Sequence, residues 1–285
     1  MKILVIGSSG LLGSAFKRRK KDCVYVFKDH SNLEISDRNQ ILKELNSLLP
    51  DVVINCTAYL GVEPCGADPM NAFAVNSKAV KDLAEICSHL NICLVHFSTD
   101  AVFDGNKGDY TEDDLPNPLN MYGMTKHVGD LFVQNICRKY YILRIPILFG
   151  MRENQGKIFI EKMHGLFKSG NKELRIADDV VSCPTFSDDV ADRVLDLIES
   201  KESFGLYHLK NEGRASLYEF ARVFFQQLEV SIDIKRAKAR DFAAGEIEKK
   251  PLNTTIRSVK IPHMRNWTAA MEDYIVQIKH QKAGT

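Results

Sequence analysis

Tyr122-Gly123-Met124-Thr125-Lys126 puts a phenol and an ammonium four residues apart, hence on one face of a helix if the segment is helical. An ammonium so placed stabilises tyrosinate and lowers the phenol's pKa towards neutrality. The phenol is then suited to give a proton to a carbonyl oxygen while hydride arrives at the carbon. The pair alone also occurs on ordinary surface helices. A hydroxyl that orients the carbonyl would complete the set, and Ser98-Thr99-Asp100-Ala101-Val102-Phe103-Asp104-Gly105 supplies Thr99 at the end of an apolar run. Asp100 is either a substrate-side group there or, like Asp104, a loop-capping residue.

A second constellation stands at the N-terminus. Gly7-Ser8-Ser9-Gly10-Leu11-Leu12-Gly13 follows an apolar strand pattern and opens a helical one. Glycines allow a tight turn and a close approach of backbone to pyrophosphate, and the helix start offers free N–H groups and a positive dipole end. Gly7, Ser9, Gly10, Leu11 and Leu12 are therefore candidate cofactor ligands, and the cofactor is NADP or NAD. The choice turns on Val26-Phe27-Lys28-Asp29-His30. An acid at that strand end binds ribose hydroxyls, whereas a base favours the extra phosphate. The reading leans to NADP, with Lys28 as the base.

The elements that must position these groups alternate in type. Strand patterns at 2–6, 23–28, 51–56, 92–98 and 140–145 alternate with helical ones near 11–20, 37–48, 70–90 and 119–137. This is the βαβ signature of an α/β fold, a Rossmann-type parallel sheet flanked by helices. Asp37 is placed to cap the second helix and Pro50 follows its end. Beyond residue 150 the pattern changes to helices near 155–169, 187–200, 216–229 and 266–281 with strands near 173–176, 205–209 and 232–236. Ser216-Leu217-Tyr218-Glu219 reads as a capping box. The expected organisation is a cofactor domain over 1–150 and a smaller α/β substrate-binding region over 151–285, with return segments to the first sheet. The polar stretch 237–258, which carries Gly245 and Pro251, reads as a surface excursion.

Composition excludes several classes. A net charge of +1 argues against nucleic acid or an anionic membrane as partner, and no window approaches a membrane span. The basic run at 17–21 reads as a solvated helix end. Seven scattered cysteines without C-x-x-C spacing, and a start that runs directly into a strand, suit a reduced cytoplasmic protein with no metal site.

Together these motifs resemble the extended short-chain dehydrogenase/reductases. Further stretches are similar, in order and spacing, to the dTDP-4-dehydrorhamnose reductase family. They are Pro50–Ala58, Ala74-Val75-Asn76, Ser98–Gly105, Pro118–Lys126, Leu143-Arg144-Ile145-Pro146, Gly205–Leu209 and Pro251-Leu252-Asn253. The resemblance implies an NAD(P)H-dependent reductase of a nucleotide-linked 4-keto-6-deoxy sugar. Thr99, Tyr122 and Lys126 would be catalytic, with Tyr122 and Lys126 also at the nicotinamide ribose. Cys56, Thr57 and Ala58 would face the cofactor, and Asp100, Thr185 and Asn253 the substrate. A homodimer is compatible with it. Where some members carry a helix glutamate implicated in a metal-bridged dimer, this chain has Ala15, so no metal is expected.

Departures lie on the sugar side. Arg144 is followed by Ile145-Pro146-Ile147-Leu148 instead of Thr-Ser-Trp, Ala101 replaces a tyrosine, and Lys250 replaces an arginine. The run Arg144–Gly150 looks more like the family's regulatory branch, the beta subunit of methionine adenosyltransferase, which uses the fold to bind a partner enzyme. A non-catalytic NADP-binding subunit, and a sugar-nucleotide epimerase that retains its cofactor, are the alternatives.

Overall fold

The computed structural model describes residues 1–19, 21–152, 158–242 and 249–283. The first half runs β1 (Lys2–Ile6), α1 (Leu11–Arg18), β2 (Val24–Lys28), α2 (Arg38–Leu48) and β3 (Val52–Asn55). Two short helices follow, α3 (Val62–Ala67) and α4 (Pro69–Phe73), then a π-helical stretch (Ala74–Lys78) that leads into α5 (Ala79–His89). Next come β4 (Cys93–Thr99), α6 (Met121–Ile136), β5 (Tyr140–Ile145) and β6 (Leu148–Phe149). The second half holds α7 (Phe159–Lys168), β7 (Glu173–Ala177), β8 (Val181–Ser182), β9 (Thr185–Phe186), α8 (Ser187–Glu199) and β10 (Gly205–His208). It continues with β11 (Asn211–Glu212), β12 (Ala215–Ser216), α9 (Leu217–Gln227), β13 (Asp233–Ala237), β14 (Met264–Asn266) and α10 (Trp267–Ala283).

The central sheet has the order β10-β5-β4-β3-β1-β2, and every pair in it is parallel. Strands covered on both faces must be apolar throughout, and Val52-Val53-Ile54 meets that demand: all three are buried. One face is packed around Phe16, Phe97 and Val190, the other around Ile41, Leu83 and Val133. A further core of Phe149, Phe186, Phe220, Phe224, Trp267 and Tyr274 is built largely from aromatic rings of the second half. Helix caps follow the sequence closely. Asp37 accepts from the amides of Asn39 and Gln40, and Ser216 with Glu219 forms the capping box.

The basic run at the end of α1 is not simply a solvated helix end. Arg18 pairs with Asp188 at 2.5 Å, Arg19 with Asp192, and Lys21 with Asp196 and Glu199. It therefore docks the acidic flank of α8 against α1, and α8 and β10 rejoin the first sheet. The stretch 237–258 also departs from expectation. Thr255 and Ile256 are fully buried, and bridges pair Asn253 with Val181 and Ile256 with Tyr110. Apolar Ile256 packs with Val102, Phe103 and Tyr110, which pulls the chain inward despite its polar neighbours. Gly245 lies outside the described residues.

Candidate active site

A cleft of about 580 Å³ opens at the C-terminal edge of the sheet, where ligands of open α/β sheets bind. Gly7, Ser9, Gly10, Leu11 and Leu12 form its floor, and Cys56, Thr57 and Ala58 form a wall. A Cβ at Gly13 would lie 2.4 Å from the Gly7 carbonyl oxygen, so only glycine lets α1 seat this close to the turn. No side chain caps the N-terminus of α1 at Gly10, which leaves its first amides for a ligand. Such a cradle fits the pyrophosphate of a dinucleotide. Asn55 Oδ1 accepts from the Thr57 amide at 3.1 Å and its hydroxyl at 2.6 Å, shaping the wall. Asn76 clamps the next turn, accepting the Tyr59 amide at 2.9 Å and donating to the Tyr59 carbonyl at 3.0 Å.

Thr99, Tyr122 and Lys126 line the same cleft. Thr99 ends β4, and its hydroxyl accepts from the Ala101 amide. Tyr122 and Lys126 lie in the first turns of α6, which Asn120 caps by accepting the Gly123 amide at 2.9 Å. A Cβ on Gly123 would fall 2.2 Å from the Ala101 carbonyl oxygen. The glycine inside Tyr-x-x-x-Lys thus lets α6 press onto the turn after β4, which brings Tyr122 to the cleft that Thr99 also lines.

The electrostatics differ from the expectation that Lys126 pulls the phenol's pKa down. Burial holds the Tyr122 phenol above its ordinary value, with the Thr99 hydrogen bond opposing and the Asp100 charge reinforcing the shift. Lys126 Nζ donates instead to the Phe97 carbonyl at 2.6 Å. Burial brings the ammonium down to about 8, against the opposing charge of Asp130. A phenol that keeps its proton at neutral pH is in the state a general acid requires.

Four other expected site residues are engaged elsewhere, and none of them lines the cleft. Lys28 Nζ is ion-paired to Glu44 at 2.9 Å, while His30, Leu33, Glu34 and Ile35 line the cleft. Asp100 is buried among the hydroxyls of Thr99, Ser182 and Thr254. Thr185 is fully buried and donates to the Cys183 carbonyl at 2.9 Å. Asn253 accepts from the Thr255 amide and hydroxyl. Asp100 and Thr185 are buried with their polar atoms bonded within the protein, while Lys28 and Asn253 are half-buried.

A second cavity of about 770 Å³ has Phe159 in common with the first. Apolar Leu119, Val180, Leu217 and Phe242 face Arg175, Arg240, Lys249 and Lys250 across it. The sequence singles out Lys250 on the sugar side; Arg175, Arg240 and Lys249 were missed because β7 is far in the chain from the 239–242 turn and the 249–250 segment. The signal was weak: three cations among the 38 of the whole sequence. Arg152, on the wall of the first cleft, was missed as well; it pairs with Glu161 at 2.7 Å. Among the described residues, no helix is long and apolar enough to cross a membrane.

The parallel sheet, its glycine turn, and a threonine, tyrosine and lysine meeting at its C-terminal edge belong to the extended short-chain dehydrogenase/reductase class. The family model described as RmlD substrate binding domain matches residues 1–280, and the chain belongs to the dTDP-4-dehydrorhamnose reductase family. It is 31% identical to a dTDP-4-keto-6-deoxy-D-glucose reductase of Streptomyces niveus, with 94% of each chain covered. The crystal structure of a dTDP-4-dehydrorhamnose reductase from Clostridium acetobutylicum superimposes with a TM-score of 0.91 at 31% identity, covering 98% of this chain and 100% of that one. The Bacillus anthracis dTDP-4-dehydrorhamnose reductase, solved in complex with NADP, gives 0.89 at 25% identity, covering 97% and 99%. As a member of this family the chain is an NAD(P)-dependent oxidoreductase.

Proposed function

We propose that this protein reduces the keto group of a nucleotide-linked 4-keto-6-deoxy sugar. The observation that carries the reading is the meeting of Thr99, Tyr122 and Lys126 on one cleft with the glycine turn. The bound dinucleotide supplies hydride. Tyr122 gives its proton to the carbonyl oxygen, Thr99 hydrogen-bonds that oxygen, and the Lys126 ammonium stabilises the tyrosinate left behind. Gly7 to Leu12 hold the pyrophosphate through backbone amides. The sugar reaches Tyr122 past Ile147, Leu148 and Phe159, an apolar passage that suits a deoxygenated sugar. The nucleoside diphosphate then lies in the adjoining cavity, with Arg175, Arg240 and Lys249 for its phosphates and Phe242 for its base. In this division of labour residues 1–150 bind the dinucleotide and 151–285 most of the sugar nucleotide.

The test is nicotinamide absorbance over time with purified protein, NADPH or NADH, and freshly made dTDP-4-keto-6-deoxyhexose. Sugar-dependent oxidation is the expected result. Cofactor binding without oxidation would overturn the reading in favour of a regulatory member. Tight NAD(H) that co-purifies and is never consumed would point to an epimerase.

A further inference from the structure

The buried Asp100 carboxylate gathers hydroxyls from three separate stretches of the chain. Oδ1 takes Thr99 Oγ1 at 3.2 Å, while Oδ2 takes Ser182 Oγ at 3.1 Å and Thr254 Oγ1. Ser182 belongs to β8, and Thr254 follows the bridge between Val181 and Asn253. The Thr99 oxygen also accepts the Ala101 amide at 3.1 Å, and Thr99 lines the cleft together with Tyr122.

A hydroxyl has one proton to give, and an ionised carboxylate can only accept. While Asp100 is charged, the Thr99 proton is committed to Oδ1 and is turned away from the cleft. Oδ2 already holds two donors, so a proton added to the carboxyl goes to Oδ1, which holds one. That proton then points at Thr99 Oγ1. The bond reverses, and Thr99 is free to donate towards Tyr122 and a carbonyl in the cleft.

We propose that Asp100 is a positioning residue that sets the direction of the Thr99 hydroxyl proton, drawing it inward when ionised and releasing it to the cleft when protonated. The proposal rests on the reductase reading, in which Thr99 donates to the substrate carbonyl. Burial lifts the Asp100 carboxyl to about 6, with the three hydroxyls opposing, so the reversal falls in an accessible range. The titratable groups that face it are Tyr122 of α6 and Cys183 just after β8. Burial holds both above their ordinary values, so neither ionises in the same range. Lys126, at about 8, titrates later.

The experiment is kcat against pH for the wild type, Asp100→Asn and Thr254→Val, with cofactor Kd measured alongside. Wild-type kcat should fall about fivefold as pH rises through 6, the worth of roughly one hydrogen bond. Asparagine can accept from Ser182 and Thr254 and donate to Thr99, so Asp100→Asn imitates the protonated acid. It should show no fall and keep kcat within about twofold of the wild type's low-pH value. Thr254→Val removes a donor to the charged form and should move the fall to higher pH. Cofactor Kd should stay unchanged in all three. A fall that persists in Asp100→Asn, or one that Thr254→Val leaves in place, would overturn the proposal. A merely structural Asp100 would alter Tm without altering the profile. If the wild type reduces no keto sugar, the reductase reading itself has failed. The carboxyl is then followed without substrate, through the pH dependence of Tm. Wild type should lose stability relative to Asp100→Asn as pH rises from about 4 to above 6, and Thr254→Val should extend that range upward. Parallel curves would refute the buried, hydroxyl-held carboxyl.

Discussion

The Lys126 ammonium donates to the Phe97 carbonyl at 2.6 Å, which ties α6 to β4. The lysine is almost fully buried, and folding therefore opposes its charge. Its cation is kept at a cost in stability.

Lys126→Met should accordingly abolish most turnover and yet raise Tm near pH 7. The folded ammonium titrates at about 8 against 10.5 for the free group. A folded value below the unfolded one means the wild type binds fewer protons when folded, so its stability rises with pH between those values. The burden is about 3 kcal/mol below pH 8 and vanishes above 10.5, while the lost bond to Phe97 takes back about 1 kcal/mol. Calorimetry from pH 6 to 10 should show the variant's advantage shrinking as pH rises. An advantage that grows with pH would contradict this.

Gly123→Ala should damage both fold and catalysis. The new methyl would lie 2.2 Å from the Ala101 carbonyl, so α6 must lift from the turn after β4 and carry Tyr122 away from Thr99. Overpacking of this kind costs about 1–3 kcal/mol. Urea unfolding should report that loss, and kcat should fall further than cofactor affinity does. Wild-type kcat would show that the contact does not set the phenol's place.

Arg175→Ala and Arg240→Ala should each raise KM for the sugar nucleotide and leave kcat and cofactor Kd near wild type. A charge-assisted bond to phosphate is worth about 1.5–3 kcal/mol, which corresponds to roughly 10–100-fold in KM. Initial-rate kinetics at fixed cofactor decide it. An unchanged KM in both variants would place the diphosphate elsewhere.

What the sequence made legible was local. The sheet strands, the Asp37 and Ser216 caps and the glycine turn each rest on a few neighbouring residues, and the structure has them within a residue or two. Thr99, Tyr122 and Lys126 were readable because strand end and helix start impose their own spacing. The residues whose surroundings were not legible depend on partners distant in the chain. Lys28 ends β2, and its ammonium pairs with Glu44 of α2, which the local sequence does not signal. Thr185 is fully buried and bonded to the Cys183 carbonyl, and Asn253 is half-buried at a β-bridge to Val181. The cations of the second cavity gather only when β7 meets residues 239–242 and 249–250.

The central claim is that Tyr122 delivers the proton to the keto oxygen. It is tested most directly by Tyr122→Phe, comparing kcat on the keto sugar with cofactor Kd from fluorescence titration. The phenyl ring keeps the packing and removes only the hydroxyl. The account predicts a kcat lower by roughly 10²–10⁴-fold with Kd unchanged. Turnover at the wild-type rate would contradict it.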